Sequence, residues 1–380
     1  MKKIGFISEF KVDDKRAWSG TINFLYVTLN KKYDIFPIVV QSTIIHRVFR
    51  KVVKIFFGGK NDYTTIDQIL YQFTINHKIR QALSEGVNTF FAPAASSILC
   101  KAKIPVNCRV IYLSDATYHG MLGYYYDGGT VGNVKRHEFA EKRSLERANA
   151  IIYASEWAKK DAIQYYGISS NKINVLPFGA NLKDHYMPHG LHKVIKILFV
   201  GVEWERKGAD LAIRCVERLN EMSKDRCFQL TLVGIDKPIN YKTTNAISFV
   251  GRLNKDDPDQ LKQIILHYQE SDIFLLPTKA ECAGIVFSEA AMYGLPVFTH
   301  DTGGTMSYVE NGKTGKGLKM GSTAEDFANA IMEMLNNGKY KEWSHNAREK
   351  YEKELNWNVW LKKCEKIITG DDDFSRVSGK

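Results

Sequence analysis

The sequence predicts an α/β protein of two doubly wound, Rossmann-like domains, each a parallel sheet with helices on both faces. Three features lead there. Short apolar runs alternate with segments long enough for crossover helices, once in each half of the chain. At 380 residues the chain exceeds one typical domain. The polar stretch DHYMPHGLHK, starting at Asp184, interrupts the alternation near residue 187 and reads as a linker.

Taken in order, KKIGFIS, YDIFPIVV, NTFFAPA, RVIYLSD, AIIYAS and INVLPFG are the strands expected before the linker, and IKILFVG, FQLTLVG, ISFV, IFLLPT and PVFTH those after it. Parallel sheets of this kind bind ligands beyond the carboxyl ends of their strands, so the turns that follow these runs are where chemistry is expected. No run approaches the ~18 apolar residues of a membrane span, and MKKIGFISEF is too short for a signal peptide. A cytoplasmic protein is expected. The six cysteines show no CxxC pairing and no close histidine partners, which suits reduced, mostly buried thiols and no metal site. The tail GDDDFSRVSGK reads as disordered.

After IFLLPT, Gly284 opens a helix expected to run to about Tyr293 and stop at Gly294, ahead of Pro296. Glu281 then lies in the loop before the helix and Glu289 in its second turn. The free N–H groups of Gly284, Ile285 and Val286, with the helix dipole, favour a phosphate, leaving one glutamate on each side to accept from hydroxyls. From spacing alone, a solvated loop carboxylate and a polar helix face are the simpler account of the pair. The turn after IKILFVG adds Arg206, Lys207 and Gly208 between strand and helix, where cations can meet a diphosphate. Together these residues make a phosphate-and-hydroxyl site, the layout that a sugar nucleotide requires.

Charge separates the halves. Residues 1–187 hold 26 Lys+Arg against 15 Asp+Glu, and residues 188–380 hold 27 against 27. The basic excess of the first half suggests an anionic partner. Its densest stretch, IIHRVFRKVVKIFFGGK at 44–60, has helical spacing, with an apolar stripe and a basic face. Two readings stand: a domain helix packed on the sheet, or a helix lying on an anionic membrane surface. With no recognised reading motif around these charges, no nucleic acid partner is expected. SYVENGKT lacks the first glycine of a P-loop, DPD at 257–259 reads as a helix start rather than a metal motif, and no GxGxxG follows the first strand.

FVGVEWERKGADL, LLPTKAECAGIVFSEAAMYGLPVFTHDTGG and VLPFGAN resemble the C-terminal half of the retaining glycosyltransferases of family 4, a GT-B group whose signature is two glutamates seven residues apart. RAWSGT, SDATY and ASEWAKKDAI extend the resemblance over nearly the whole chain. It implies two Rossmann-like domains facing a cleft: residues 1–187 binding the acceptor, 188–356 binding the nucleotide sugar, and 357–380 a last helix crossing back to the first domain with a tail. It also implies a metal-independent, retaining hexosyltransferase with no cofactor, using a UDP- or GDP-sugar donor. Glu281 would hold the sugar hydroxyls near the reacting carbon and Glu289 the ribose. Arg206 and Lys207 would stabilise the departing diphosphate, Gly20 would admit the phosphates to the backbone, and Arg252, Leu253 and Asn254 would grip the base. If residues 44–60 lie on an anionic membrane, the acceptor would be a lipid-linked or membrane-proximal glycan of a surface polysaccharide such as lipopolysaccharide or capsule, met by a protein peripheral at the inner face of the plasma membrane.

Three positions depart from the family pattern. Val202 stands where many members have arginine, so Arg206 is expected to do that residue's work. Ser114-Asp115 replaces a pair that usually contains histidine, which makes Asp115 the candidate contact to acceptor or sugar, against a cap or turn role. Ser307 stands where a carboxylate often follows the Gly303-Gly304 pair. His119 and the pair Trp357 and Trp360 read as structural. A sugar-nucleotide epimerase of the same fold and a catalytically inactive nucleotide-sugar and membrane-binding module are the competing readings.

Overall fold

The computed structural model describes residues 1–41, 65–239, 241 and 244–370; the basic stretch 44–60 lies outside them. The chain divides into two compact units, Met1–Leu176 with the chain from Leu361 onward, and Pro177–Trp360. Sequence reading places the division at 187/188. The structure assigns the segment after Leu176 to the second unit because its polar groups are satisfied there: the Phe178 N–H donates to the Tyr308 hydroxyl at 3.1 Å, and the Ser288 hydroxyl donates to the Phe178 carbonyl at 2.8 Å. Phe178 also stacks on Trp357.

In the first unit, strands β1 (Lys3–Ser8), β2 (Asp34–Val39), β3 (Thr89–Pro93), β4 (Arg109–Ser114), β5 (Ala150–Tyr153) and β6 (Ile173–Val175) form one sheet ordered β2-β1-β3-β4-β5-β6. All neighbours are parallel. In the second unit, β7 (Val194–Val200), β8 (Cys227–Val233), β9 (Ile247–Gly251), β10 (Ile273–Leu276), β11 (Val297–His300) and β12 (Gly315–Leu318) are ordered β12-β11-β10-β7-β8-β9, again all parallel. Helices cover these sheets, so the inner strands are apolar on both faces; Ile273, Phe274, Leu275 and Leu276 are all fully buried. The helix Ala209–Met222 shows how a face is sealed, its Ala212, Ile213, Cys215, Val216 and Leu219 buried and its acidic and basic residues outward.

The strand order reverses between β1 and β3 in the first sheet and between β7 and β10 in the second. At such a reversal, neighbouring loops diverge and leave a crevice beyond the strand ends. The loops after β7 and β10 are the ones that carry Arg206, Lys207, Glu281 and Gly284.

The last helix, Trp357–Thr369, begins in the second unit and ends in the first. Trp357 donates from its indole to Asn181 at 3.0 Å, and Trp360 is 1% exposed, so both tryptophans are packing anchors. In the first unit Cys364, Ile367 and Ile368 are buried, and Arg109 satisfies the Ile367 carbonyl near the helix end at 2.7 and 3.0 Å. Among the described residues no helix is long and apolar enough to cross a membrane. Five cysteines are buried and Cys227 is exposed; none forms a disulfide.

Candidate functional site

Two glycines bring the switch-point loops of the second unit together. Gly208, at φ 74°, closes the short turn Trp204–Lys207 and opens the helix Ala209–Met222. A Cβ there would run into the carbonyl of Pro277, so the β7 loop touches the β10 loop only because this residue has no side chain. Gly284, at φ 69°, caps the helix Ile285–Met292, and a Cβ on it would press on the Phe287 ring and the Glu281 side chain.

That approach buries the first glutamate among cations. Glu281 is 8% exposed; its carboxylate takes a hydrogen bond from the Lys207 ammonium, and the Arg206 guanidinium lies 4.0 Å away. Arg206 is aimed by its own partners: it donates to the Ala280 carbonyl at 2.9 Å and as a fork to Glu203 at 2.6 and 3.0 Å. The Arg206 bonds hold the Glu203 carboxyl below its ordinary range. Val202 is 54% exposed, and with no charge at 202 the guanidinium beside Glu281 comes from Arg206.

The second glutamate is buried more deeply. Glu289 lies on a helix apolar all round and is 1% exposed. Lys255 donates to one of its oxygens at 2.7 Å and the Tyr268 hydroxyl to the other at 2.9 Å. Tyr268 is fully buried; burial, with the Glu289 charge beside it, pushes its phenol well above the ordinary value, so it remains a donor. Sequence reading finds neither partner, since a lysine and a tyrosine 34 and 21 residues away carry no spacing signal. Through Lys255 the loop that holds exposed Arg252 and half-buried Leu253 is tied next to Glu289. The DPD stretch is a helix start, with Asp257 accepting from the N–H groups of Asp259 and Gln260 and Pro258 in first position.

In the first unit, Trp18, Ser19 and Gly20 follow one another with φ of 51°, 56° and 87°. Two successive non-glycine residues in the left-handed region are a stored strain, and such strain persists where surroundings enforce it. Asp115 lies beside this turn, accepting from the Trp18 indole N–H at 3.1 Å. Gly20 then caps the helix Thr21–Asn30. His119 is not isolated: its Nδ1 lies 2.8 Å from Asp161, and its ring stacks on Tyr165. Thr117 also donates to Asp161. Behind them Glu141 is buried and hydrogen-bonded to the Tyr118 N–H and the Tyr112 hydroxyl, with its carboxyl pushed up to about 8 by burial. Glu9, just after β1, is pushed up to about 7 by the same cause. The structure thus brings Arg206, Lys207, Glu281 and Gly284 into one cluster and Glu289 with Lys255 into a second. Asp115 and Gly20 belong to the first unit.

Two all-parallel, doubly wound units with polar clusters at the reversal of strand order define a protein of the GT-B class. Residues 188–350 match the family model described as glycosyl transferases group 1, and residues 87–184 match that of glycosyltransferase family 4. The two matches cover most of the chain, which belongs to this glycosyltransferase family. It is 24% identical over 247 residues to a D-inositol 3-phosphate glycosyltransferase of Corynebacterium aurimucosum, covering 60% of this chain and 58% of that protein. The chain thus spans little more than half the length of that curated relative. The lipopolysaccharide outer core galactosyltransferase WaaB superposes with a TM-score of 0.65 at 14% identity, over 97% of this chain and 99% of that one. Anabaena HepE in complex with UDP superposes with a TM-score of 0.61 at 14% identity, over 97% and 100%.

Proposed function

We propose that the protein is a retaining, metal-independent hexosyltransferase that moves a sugar from a UDP- or GDP-sugar to a lipid-linked or membrane-proximal glycan acceptor. The observation that carries this reading is the burial of Glu281 and Glu289 in one unit, each matched to cations or donors at the loops beside the strand reversal. Buried carboxylates are costly unless paired, and here Glu281 sits beside two cations that suit a diphosphate and Glu289 is matched by Lys255 and Tyr268. Glu289, Lys255 and the 252–254 loop take the nucleoside; the N–H groups of Gly284, Ile285 and Val286 take the phosphates, and Glu281 takes the sugar hydroxyls.

The bond between the anomeric carbon and the diphosphate oxygen breaks, the acceptor oxygen bonds to that carbon on the same face, and the acceptor proton leaves with the diphosphate. Negative charge grows on the departing phosphate, where Arg206 and Lys207 stabilise it more in the transition state than in the bound donor. Lys207 cannot serve both Glu281 and a phosphate with equal strength, so donor binding redistributes its hydrogen bonds. The acceptor is assigned to the first unit, with Asp115 as its candidate contact. The basic stretch 44–60 supplies a contact to an anionic membrane face, and the protein works in the cytoplasm at that face; this part rests on sequence. The UDP bound to HepE supports the donor class and the name of the lipopolysaccharide galactosyltransferase WaaB supports a glycan acceptor, whereas the name of the inositol phosphate glycosyltransferase points to a small phosphorylated acceptor.

The test is release of nucleotide from a donor panel with and without a membrane glycolipid extract, in the parent protein and in Glu281→Gln. Acceptor-dependent release that Glu281→Gln nearly abolishes while the variant stays folded is the expected result. Donor consumption without acceptor would favour an epimerase, and no release from any donor would favour an inactive binding module. Normal turnover by Glu281→Gln would remove the central assignment.

A further inference from the structure

Away from the switch-point loops, the donor atoms of His189, His192 and Asp272 converge, all within 4.8 Å of one another. Asp272 directly precedes β10, so it sits at the amino ends of the strands, opposite the end that carries Glu281. Its carboxylate is fully buried. One oxygen accepts the Lys196 N–H at 2.8 Å; the other accepts the His192 N–H at 3.1 Å, lies 2.9 Å from His192 Nδ1 and 4.0 Å from His189 Nδ1, and is approached by the Tyr340 hydroxyl at 3.5 Å. Among the described residues, no lysine or arginine pairs with this carboxylate.

A buried carboxylate favours a compensating positive charge in addition to its hydrogen bonds. The two rings lie 4.7 Å apart between centroids, close enough to share one ion. A dication held between the two imidazoles and the carboxylate balances the buried charge.

We propose that His189, His192 and Asp272 bind a divalent transition-metal ion of the zinc type, which fastens the connecting segment before β7 to the base of the second sheet. Two imidazoles and a carboxylate form a zinc ligand set with a fourth position for water. Donor atoms in such a site stand about 3.3 Å apart, and the separations of 2.9 and 4.0 Å bracket that spacing. His189 Nδ1 is also 2.9 Å from the Gly190 carbonyl, a local contact that coordination replaces. The histidine side chains are 28% and 34% exposed, which leaves the ion a path in. The site is structural and independent of the transferase reading.

The experiment uses untagged full-length protein, stripped with chelator and titrated with zinc by calorimetry, then with cobalt for its tetrahedral absorption bands. One equivalent of zinc is expected to bind and to raise the melting temperature. His189→Ala is expected to weaken binding at least about tenfold, while keeping the parent melting temperature in chelator because its ring is partly exposed. His345→Ala, an exposed histidine elsewhere in the unit, is expected to bind zinc like the parent. Absence of zinc binding at micromolar concentration, or binding undiminished in both His189→Ala and His192→Ala, would overturn the proposal.

Discussion

Replacing Lys207 by methionine isolates the link between the cation and glutamate of the donor site. The substitution keeps most of the side-chain volume and removes the charge that meets Glu281. Both side chains are 10% exposed. Breaking a buried ion pair by deleting one partner costs about 3–5 kcal/mol, and breaking an exposed one about 0–1 kcal/mol. This pair lies near the buried limit, but Arg206 stands 4.0 Å from the orphaned carboxylate and recovers part of the loss. A loss of roughly 2–3 kcal/mol follows. For a unit of this size that is a fall in melting temperature of roughly 5–10 °C, read by scanning calorimetry of the full chain. Lys207→Met with Glu281→Gln removes both charges, so most of the stability returns while transfer stays lost. A single variant within about 0.5 kcal/mol of the parent, or a double variant no more stable than the single, would refute the reasoning.

Tyr268→Phe removes one of the two donors to Glu289 without changing shape, and a hydrogen bond to a charged group is worth about 1.5–3 kcal/mol; denaturant unfolding should show that loss, with weaker donor binding. An unchanged midpoint would mean that Glu289 does not depend on the phenol. Glu141 supplies a pH test in the first unit. Its carboxyl is raised from 4.5 to about 8 by burial, so between those values the native state holds a proton that the unfolded chain has released. Stability therefore falls as pH rises through this window, by about 1.4 kcal/mol per pH unit from this group. Glu141→Gln should flatten the slope, and an identical slope in the variant would show that another group carries it.

Most strands were legible because their apolar runs are nearly continuous, the signature of a sheet covered on both faces. β12 was not, since GKGL is short and half glycine, and its place depends on pairing with β11. Glu281 and the Arg206-Lys207 pair could be read because each lies between a strand and a helix, and Glu289 because it falls in the second turn of the helix after Glu281. Their partners could not: Lys255 and Tyr268 reach Glu289 from a loop and a helix whose own patterns announce nothing. Asp161 beside His119 was hidden for the same reason, being 42 residues distant. The division after Leu176 has no sequence signal of its own: the polar linker near residue 187 is conspicuous, whereas Phe178 is anchored by contacts to Ser288 and Tyr308 far along the chain.

The central claim is that the second unit binds a sugar nucleotide through Glu289, and ligand-dependent thermal stabilisation tests it without knowledge of the acceptor. A ligand at a hundred times its Kd adds about 2.7 kcal/mol to the native state. The account predicts that a UDP- or GDP-sugar raises the melting temperature and that Glu289→Ala weakens the shift. No shift with any nucleotide sugar, or a shift that Glu289→Ala leaves intact, would contradict it.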